Sequence, residues 1–313
     1  MTDPQGSVTV YVGFSGLSYG CVRIDPFKTP AGDRLTDFFS INRVAERLYM
    51  VEFIELFVVG IGIGTFGALV GIGGGMIMVP LFMLTMMAPN GSTFANVQQV
   101  IGTSLFGVLL NALSGTWAYI RQHRVMFRAA TPFALATVPG AFLGSYITEY
   151  FSGNSFSLIF GTALCILAII MYSKSRSKKA TKSAADFSVE TAQFNLTLGV
   201  GLSFFVGFLS SILGIGGGVI HVPMMVFILG FPAHIAVATS TFVLMVSSLV
   251  GVVSHAYLHH IVWLPAIAIG CGAMVGAQIG ARLSSKSRPR VIIVILSAVM
   301  FILGGQFIYR GIF

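Results

Sequence analysis

Two short stretches hold the groups of this chain best placed to do chemistry: "GIGGGMIMVP" from Gly71 and "GIGGGVIHVP" from Gly214. Three consecutive glycines followed by a proline make poor helix, yet both stretches lie between long apolar runs. Their backbone amides, at Gly73, Gly74 and Gly75 and at Gly216, Gly217 and Gly218, form one set of candidate binding groups. The hydroxyls of Thr103, Ser104, Thr239 and Ser240, early in the runs that follow, form a second. Unwound backbone costs several kcal/mol per unpaired group in hydrocarbon, so it survives only where protein buries it or a polar cavity receives it. Broken helices in transporters do the latter, aiming free N–H groups and a positive dipole end at a substrate, above all an anion. Glycines also let helices approach closely, and the spacing of Gly60, Gly64, Gly67 and Gly71 fits that use. A break that occurs twice in charge-free membrane sequence favours binding over packing. A nucleotide loop is excluded, because no βαβ pattern or following lysine accompanies the glycines.

His221 is the one titratable residue clearly inside an apolar run, and it makes the best candidate for proton coupling. The alternative is a neutral histidine bonded to a carbonyl. His255, His259 and His260 fall at a loop, where such residues are usually solvated, and no facing ligands point to a metal. Most other hydroxyls in the runs are expected to bond their own helix, and Gln278 reads as an interhelical hydrogen bond. The three cysteines, Cys21, Cys165 and Cys271, are scattered, so neither a disulfide framework nor a metal or cofactor site follows from them.

The elements that must position these groups are membrane helices. The chain has 313 residues, 55% of them apolar and 9% charged, with a mean hydropathy of +0.89. That composition excludes a soluble domain. Seven of the ten acids precede Leu56, and the basic residues cluster in the N-terminal 50 residues and in short linkers. The net charge of +8 is therefore the loop bias of a membrane protein rather than a nucleic-acid footprint. The apolar runs predict elements near 56–70, 76–87, 97–119, 129–148 and 156–172, then near 194–213, 219–230, 234–255, 263–281 and 291–309. Residues 1–50 form an N-terminal tail, 51–172 a first membrane repeat, 173–192 a basic linker and 193–313 a second repeat. Within the tail, Leu35, Phe38, Phe39, Val44 and Leu48 fit an interfacial amphipathic helix. A partly ordered tail, with Met50 as an alternative start, fits equally.

The halves are copies. Gly71–Gly75 and Val79-Pro80 match Gly214–Gly218 and Val222-Pro223 at an offset of 143. The offset then becomes 136, aligning Thr103-Ser104 with Thr239-Ser240, His123 with His259, and Gly140 and Gly144 with Gly276 and Gly280. The linker "RQHRVMFR" is basic and reads as cytoplasmic, whereas its counterpart "HAYLHHIVW" has no Lys or Arg and reads as external. The next pair of linkers reverses the bias. Five crossings per copy, an odd number, turn the second copy upside down, so the expected fold is all-α, polytopic and an inverted 5+5 repeat. The short elements after the glycines span only about 18 Å as helix, and if they re-enter instead, the repeat is parallel.

These motifs resemble the TauE/SafE family of sulfite-exporter-like membrane proteins. The likeness rests on "GIGGGMIMVPLF", on "GIGGGVIHVPMMVFILGFPAHIAVATSTFVLMVSSLVGVVSHA" and on the Thr-Ser pairs, and it covers roughly residues 53–310. It implies a secondary transporter, commonly an exporter, of sulfite, an organosulfonate or a related sulfur anion. The lipid bilayer and the small sulfur-containing anion would be its partners, with protons a candidate coupling ion, in the inner membrane of a bacterium. No enzyme chemistry is implied, since Cys165 and Cys271 stand alone. An uncoupled anion channel, or uptake of thiosulfate or sulfoacetate, are the alternatives.

Overall fold

Among the described residues ten α-helices follow the order of the apolar runs. The computed structural model describes residues 8–12, 20–24, 34–87, 93–147, 150, 153–174, 194–214, 216–287 and 289–312. Helices α1 (Arg34–Val70), α2 (Gly75–Thr85), α3 (Val97–Arg121), α4 (Phe127–Ile147) and α5 (Gly153–Lys174) make up the first half. The second half comprises α6 (Leu196–Leu213), α7 (Gly218–Pro223), α8 (Ala233–Tyr257), α9 (Trp263–Lys286) and α10 (Pro289–Ile312). Among the described residues the exception to helix is an antiparallel pair, β1 (Val8–Val12) with β2 (Gly20–Ile24).

Five helical stretches are long and apolar enough to cross a membrane: Met50–Val70, α3, α4, α8 and α9. Large apolar side chains such as Leu135, Ile166, Val253 and Ile302 stand exposed on the helices, which is what a lipid-facing surface requires. Tyr150, Tyr172, Tyr257 and Tyr309 are exposed near helix ends, where aromatic rings suit the membrane interface. The protein is a multi-pass membrane protein. The stretch from Arg34 is helical and runs without interruption into the first span. Its amphipathic face concerns side chains outside the described residues, and of the basic linker at 173–192 all but residues 173 and 174 lies outside them too.

Exchange of the two copies maps the helix pairing onto itself. Helix α1 packs on α9 and α6 on α4; α3 and α8 pack on each other and on α9 and α4 respectively; α5 packs on α10. Glycine makes the closest of these contacts possible. A Cβ on Gly272, Gly276 or Gly280 would strike the backbone carbonyls of Phe57, Ile61 and Thr65, so α1 and α9 run side by side in the same direction. At the equivalent seam, Gly140 and Gly144 lie on the carbonyls of Phe204 and Phe208. Lipid gives helices no hydrophobic reason to associate, so such backbone contact is the source of attraction. Between α5 and α10 the order reverses, with Gly161 facing Gly304 and Leu158 facing Gly311. Those two helices, equivalents in the repeat, run antiparallel.

The seam predicts its own failure. Gly276→Val is expected to cost about 1–3 kcal/mol or more by overpacking, read as a lower melting temperature in detergent. Gly201→Ala, where a Cβ meets nothing within 4 Å, should melt like the native chain.

Candidate substrate site

Both glycine breaks form because the chain turns back sharply there. Gly71, Gly73 and Gly74 have φ of 82°, 75° and 83°, and Gly214 and Gly216 both have φ of 67°, all in the left-handed region open to glycine. The end of α1 is closed by the Gly67 carbonyl, which accepts from the amides of Gly71, Ile72 and Gly73 at 2.9, 2.9 and 3.3 Å. Its equivalent, the Ser210 carbonyl, accepts from Gly214 at 3.0 Å.

Serines of the opposite copy then pin each break. Ser104 Oγ donates to the Gly214 carbonyl at 2.7 Å, and Ser240 Oγ donates to the Gly71 carbonyl at 3.0 Å. Each bond is the image of the other under exchange of the copies. The adjacent threonines repeat the crossing. Thr103 Oγ1 accepts from the Val262 amide at 3.0 Å, and Thr239 Oγ1 accepts from the Met126 amide at 3.1 Å. Thr103 lies early in α3 and Val262 just beyond the end of α8; Thr239 lies early in α8 and Met126 just beyond the end of α3. Equivalent helices α3 and α8 therefore run antiparallel.

The two breaks meet at mid-helix depth. A Cβ on Gly73 or on Gly216 would touch the same two side chains, Val108 and Leu244. Each of those stands one residue before the midpoint of a 25-residue helix. A Cβ on Gly218 would strike the carbonyl of Gly71, so the breaks are in direct contact. Helices α2 and α7 both begin here with no side-chain cap on their first amides. The structure thus brings the two glycine breaks together, with Ser104 and Ser240 on them and the apolar cluster Val108, Ala112 and Leu244 beside them. All ten candidate residues are buried, but Thr103 and Thr239 bond towards opposite ends of α3 and α8 instead. The four hydroxyls are committed to backbone partners in this conformation and hold the breaks in place.

The copies are not identical at this centre. His221 is completely buried, and its Nε2 lies 3.1 Å from Ser203 Oγ. Ser203 donates its own hydroxyl hydrogen to the Gly199 carbonyl at 2.7 Å, so the imidazole must donate from Nε2. That tautomer leaves Nδ1 an acceptor, and it has no partner among the described residues. In the first copy the corresponding positions are Met78 and Gly60. After Pro223 the second copy also continues as a π-helical turn, Met224–Ile228, where the first copy keeps regular α-helix through Thr85.

Several groups escaped sequence reasoning. His255, expected to be solvated with His259 and His260, is fully buried, and its Nδ1 lies 3.1 Å from His260 Nδ1. The reason is length: α8 runs on through Tyr257, carrying His255 inside the bundle. Two imidazolium ions would both donate from Nδ1, so the pair cannot be doubly charged and keep this contact. His259 is exposed and caps the turn at φ 56°, as His123 does at φ 52° in the first copy. Asn111, buried on α3, donates to the carbonyls of Gly64 and Ala273 at 2.9 and 3.2 Å and ties α1 to α9. Gln278 makes the expected interhelical bonds, to the Ser114 carbonyl at 2.8 Å and its hydroxyl at 2.9 Å.

Around the α3–α4 loop, Arg121 at the end of α3 and Arg128 at the start of α4 are exposed, while Arg124 in the loop itself is half-buried. Its guanidinium lies 5.0 Å from the centre of the Tyr119 ring. It donates to Gln122 Oε1 at 2.9 Å, the His234 carbonyl at 3.0 Å and Ser284 Oγ at 3.4 Å. Burial pulls its pKa below the ordinary value, with Tyr119 opposing the shift, but an arginine remains charged at any physiological pH.

The family model described as "Sulfite exporter TauE/SafE" matches residues 56–307. The chain belongs to this family. A probable membrane transporter protein of Bacillus subtilis, YunE, is 35% identical over 272 residues, covering 84% of this chain and all of that protein. A probable membrane transporter protein of Methanocaldococcus jannaschii is 26% identical over 262 residues, covering 80% of this chain and 92% of that one. No solved structure matches the chain significantly. This TauE/SafE member is a membrane transporter and not an enzyme.

The crossed bonds give matched expectations. Ser104→Ala and Ser240→Ala each remove the donor to a buried carbonyl, at a cost of about 1–3 kcal/mol. Thermal unfolding in detergent should show losses of similar size for the two variants. A loss confined to one of them would mean that the two breaks are not held alike.

Proposed function

We propose that this protein is a secondary transporter, in the inner membrane of a bacterium, of a small sulfur-containing anion such as sulfite or an organosulfonate. It exports the anion by alternating access. The observation that carries this reading is the meeting of two glycine breaks at mid-helix depth, each pinned by a serine of the other copy. The antiparallel course of α3 with α8, and of α5 with α10, supports an inverted relation between the copies.

The substrate site lies between the breaks, at Gly73–Gly75 and Gly216–Gly218, with Thr103, Ser104, Thr239 and Ser240 beside them. The uncapped first amides of α2 face an anion without any embedded Lys or Arg to hold it. Such a site binds weakly and releases readily, which suits transport. Access requires Val108 and Leu244 to part and the serine bonds to exchange carbonyl for substrate, as the packed pairs α1–α9 and α4–α6 rock against each other. His221, with its unpartnered Nδ1, is the group that takes up a coupling proton. Protonation turns Nδ1 from acceptor to donor and adds a positive charge beside the anion.

The experiment is flux in proteoliposomes loaded with sulfite, an organosulfonate or thiosulfate, with and without a proton gradient. Saturable, gradient-dependent flux is expected. Gly217→Leu should abolish it, and His221→Met, the residue of the first copy, should leave flux that no longer responds to the gradient. Conductance that neither saturates nor responds to pH would make the protein an anion channel and end the transporter reading.

A further inference from the structure

We infer that Arg124, with His234 and Ser284, forms a docking site for a small dissolved oxyanion at the mouth bounded by the α3–α4 loop, from which the central site is loaded. The inference rests on the transporter reading above and adds to it the mouth at which the anion enters.

The guanidinium is half-buried, and its hydrogen bonds among the described residues go to neutral acceptors: an amide, a carbonyl and a hydroxyl. A buried cation ordinarily has an anion beside it. Among residues with described side chains, the acids of the membrane helices are Glu52 and Glu55, and they are a membrane thickness away. Met50, Phe53 and Ile54 share a groove with Leu264 near the start of α9, whereas Arg124 meets Ser284 near its end. Twenty residues of helix separate those levels, about 30 Å. The carbonyl ends of α3 and α9 offset part of the charge, and the positive end of α8, where His234 lies, opposes that offset. Among the described residues a full negative charge is still missing. His234 adds a buried Nδ1 with no partner among the described residues.

The place is right for loading. Arg124 holds the foot of α8 through the His234 carbonyl, and two residues on, the Met126 amide donates to Thr239. Thr239 and Ser240 stand five and six residues along α8 from His234, about 8–9 Å. The opposite mouth differs in kind. The counterpart of Arg124 at the offset of 136 is His260, and that of Tyr119 is His255. A permanent cation thus guards one mouth alone, and it is the mouth whose linkers are basic and hence cytoplasmic. An anion is captured there and leaves past the histidines, which is the direction of export.

Kinetics and direct binding test this separately. In proteoliposomes, Arg124→Gln should raise KM for sulfite presented at the loop face about tenfold, the worth of one charged hydrogen bond, with kcat within twofold. It should also flatten the ionic-strength dependence of kcat/KM, while Arg124→Lys recovers part of both. Arg121→Gln, exposed beside Trp117, should leave them unchanged. If Arg124→Gln lowers kcat and melting temperature with KM intact, the arginine is a structural clip and the inference falls. Calorimetric titration of sodium sulfite into the full chain in neutral detergent should give binding that Arg124→Gln weakens about tenfold. Binding that does not depend on Arg124 overturns the proposal. So does an Arg124-dependent signal seen only in phosphatidylglycerol nanodiscs and not displaced by sulfite, which would make the occupant a lipid headgroup. Arg124-dependent sulfite binding in a protein that moves no anion would keep the docking site and remove the transport reading.

Discussion

Unpaired backbone in hydrocarbon is the constraint on which this structure turns. Each glycine break frees carbonyl and amide groups at a depth where water cannot satisfy them, at several kcal/mol apiece. The remedy is reciprocal: Ser104 serves the break of the second copy and Ser240 that of the first. Neither copy can complete its own break. The two halves, already joined by the α1–α9 and α4–α6 seams, are thereby tied at their centre as well, and the tie runs through the groups best suited to meet a ligand. A hydroxyl that holds a carbonyl in one state can turn to an anion in another at small net cost, because one hydrogen bond replaces another.

The surrounding helices make that centre possible. Contact of α1 on α9 and of α6 on α4 is backbone on backbone, through Gly272, Gly276 and Gly280 on one side and Gly140 and Gly144 on the other. Such seams are stiff, since no side chain intervenes that could repack. Each joins one half to the other, α1 of the first with α9 of the second and α4 of the first with α6 of the second. Motion of the centre is therefore motion of whole packed pairs. On the proposed mechanism these pairs are the rocking bodies, and Val108 and Leu244, which lie against Gly73 and Gly216, are what such rocking displaces.

Much of this was legible in the residues. Charge-free apolar runs marked all ten helices, most to within a few residues, although α1 begins at Arg34, well before the run that starts near 56. The offsets of 143 and 136 identified Thr103, Ser104, Thr239 and Ser240 before any contact was known. Local pattern ended there. That the hydroxyls cross between copies is a tertiary fact, since spacing shows which helix face a residue occupies and not which carbonyl waits opposite. His255 was misread as a loop residue because a run of apolar hydropathy fades before the helix does. Arg124 was one of three loop arginines with nothing in sequence to separate them. Only the fold shows that Arg121 and Arg128 point out while Arg124 reaches the foot of α8 and the end of α9.

The departures from two-fold symmetry carry the remaining argument. A transporter whose halves were exact images would present identical mouths, and only the gradients across the membrane could give it direction. Here the images diverge at chemically meaningful positions: Met78 against His221, Gly60 against Ser203, Tyr119 against His255, Arg124 against His260, and regular helix against the π turn after Pro223. Packing accounts for one of these differences, since a Cβ on Gly60 would strike the Ile269 carbonyl, while the two seams share Gly276 and Gly280 with Gly140 and Gly144. The shared residues build the fold and the place where the breaks meet. The unshared ones set a titratable group on one side of the centre and a permanent charge at one mouth, so protons and anions meet different chemistry according to the side from which they come.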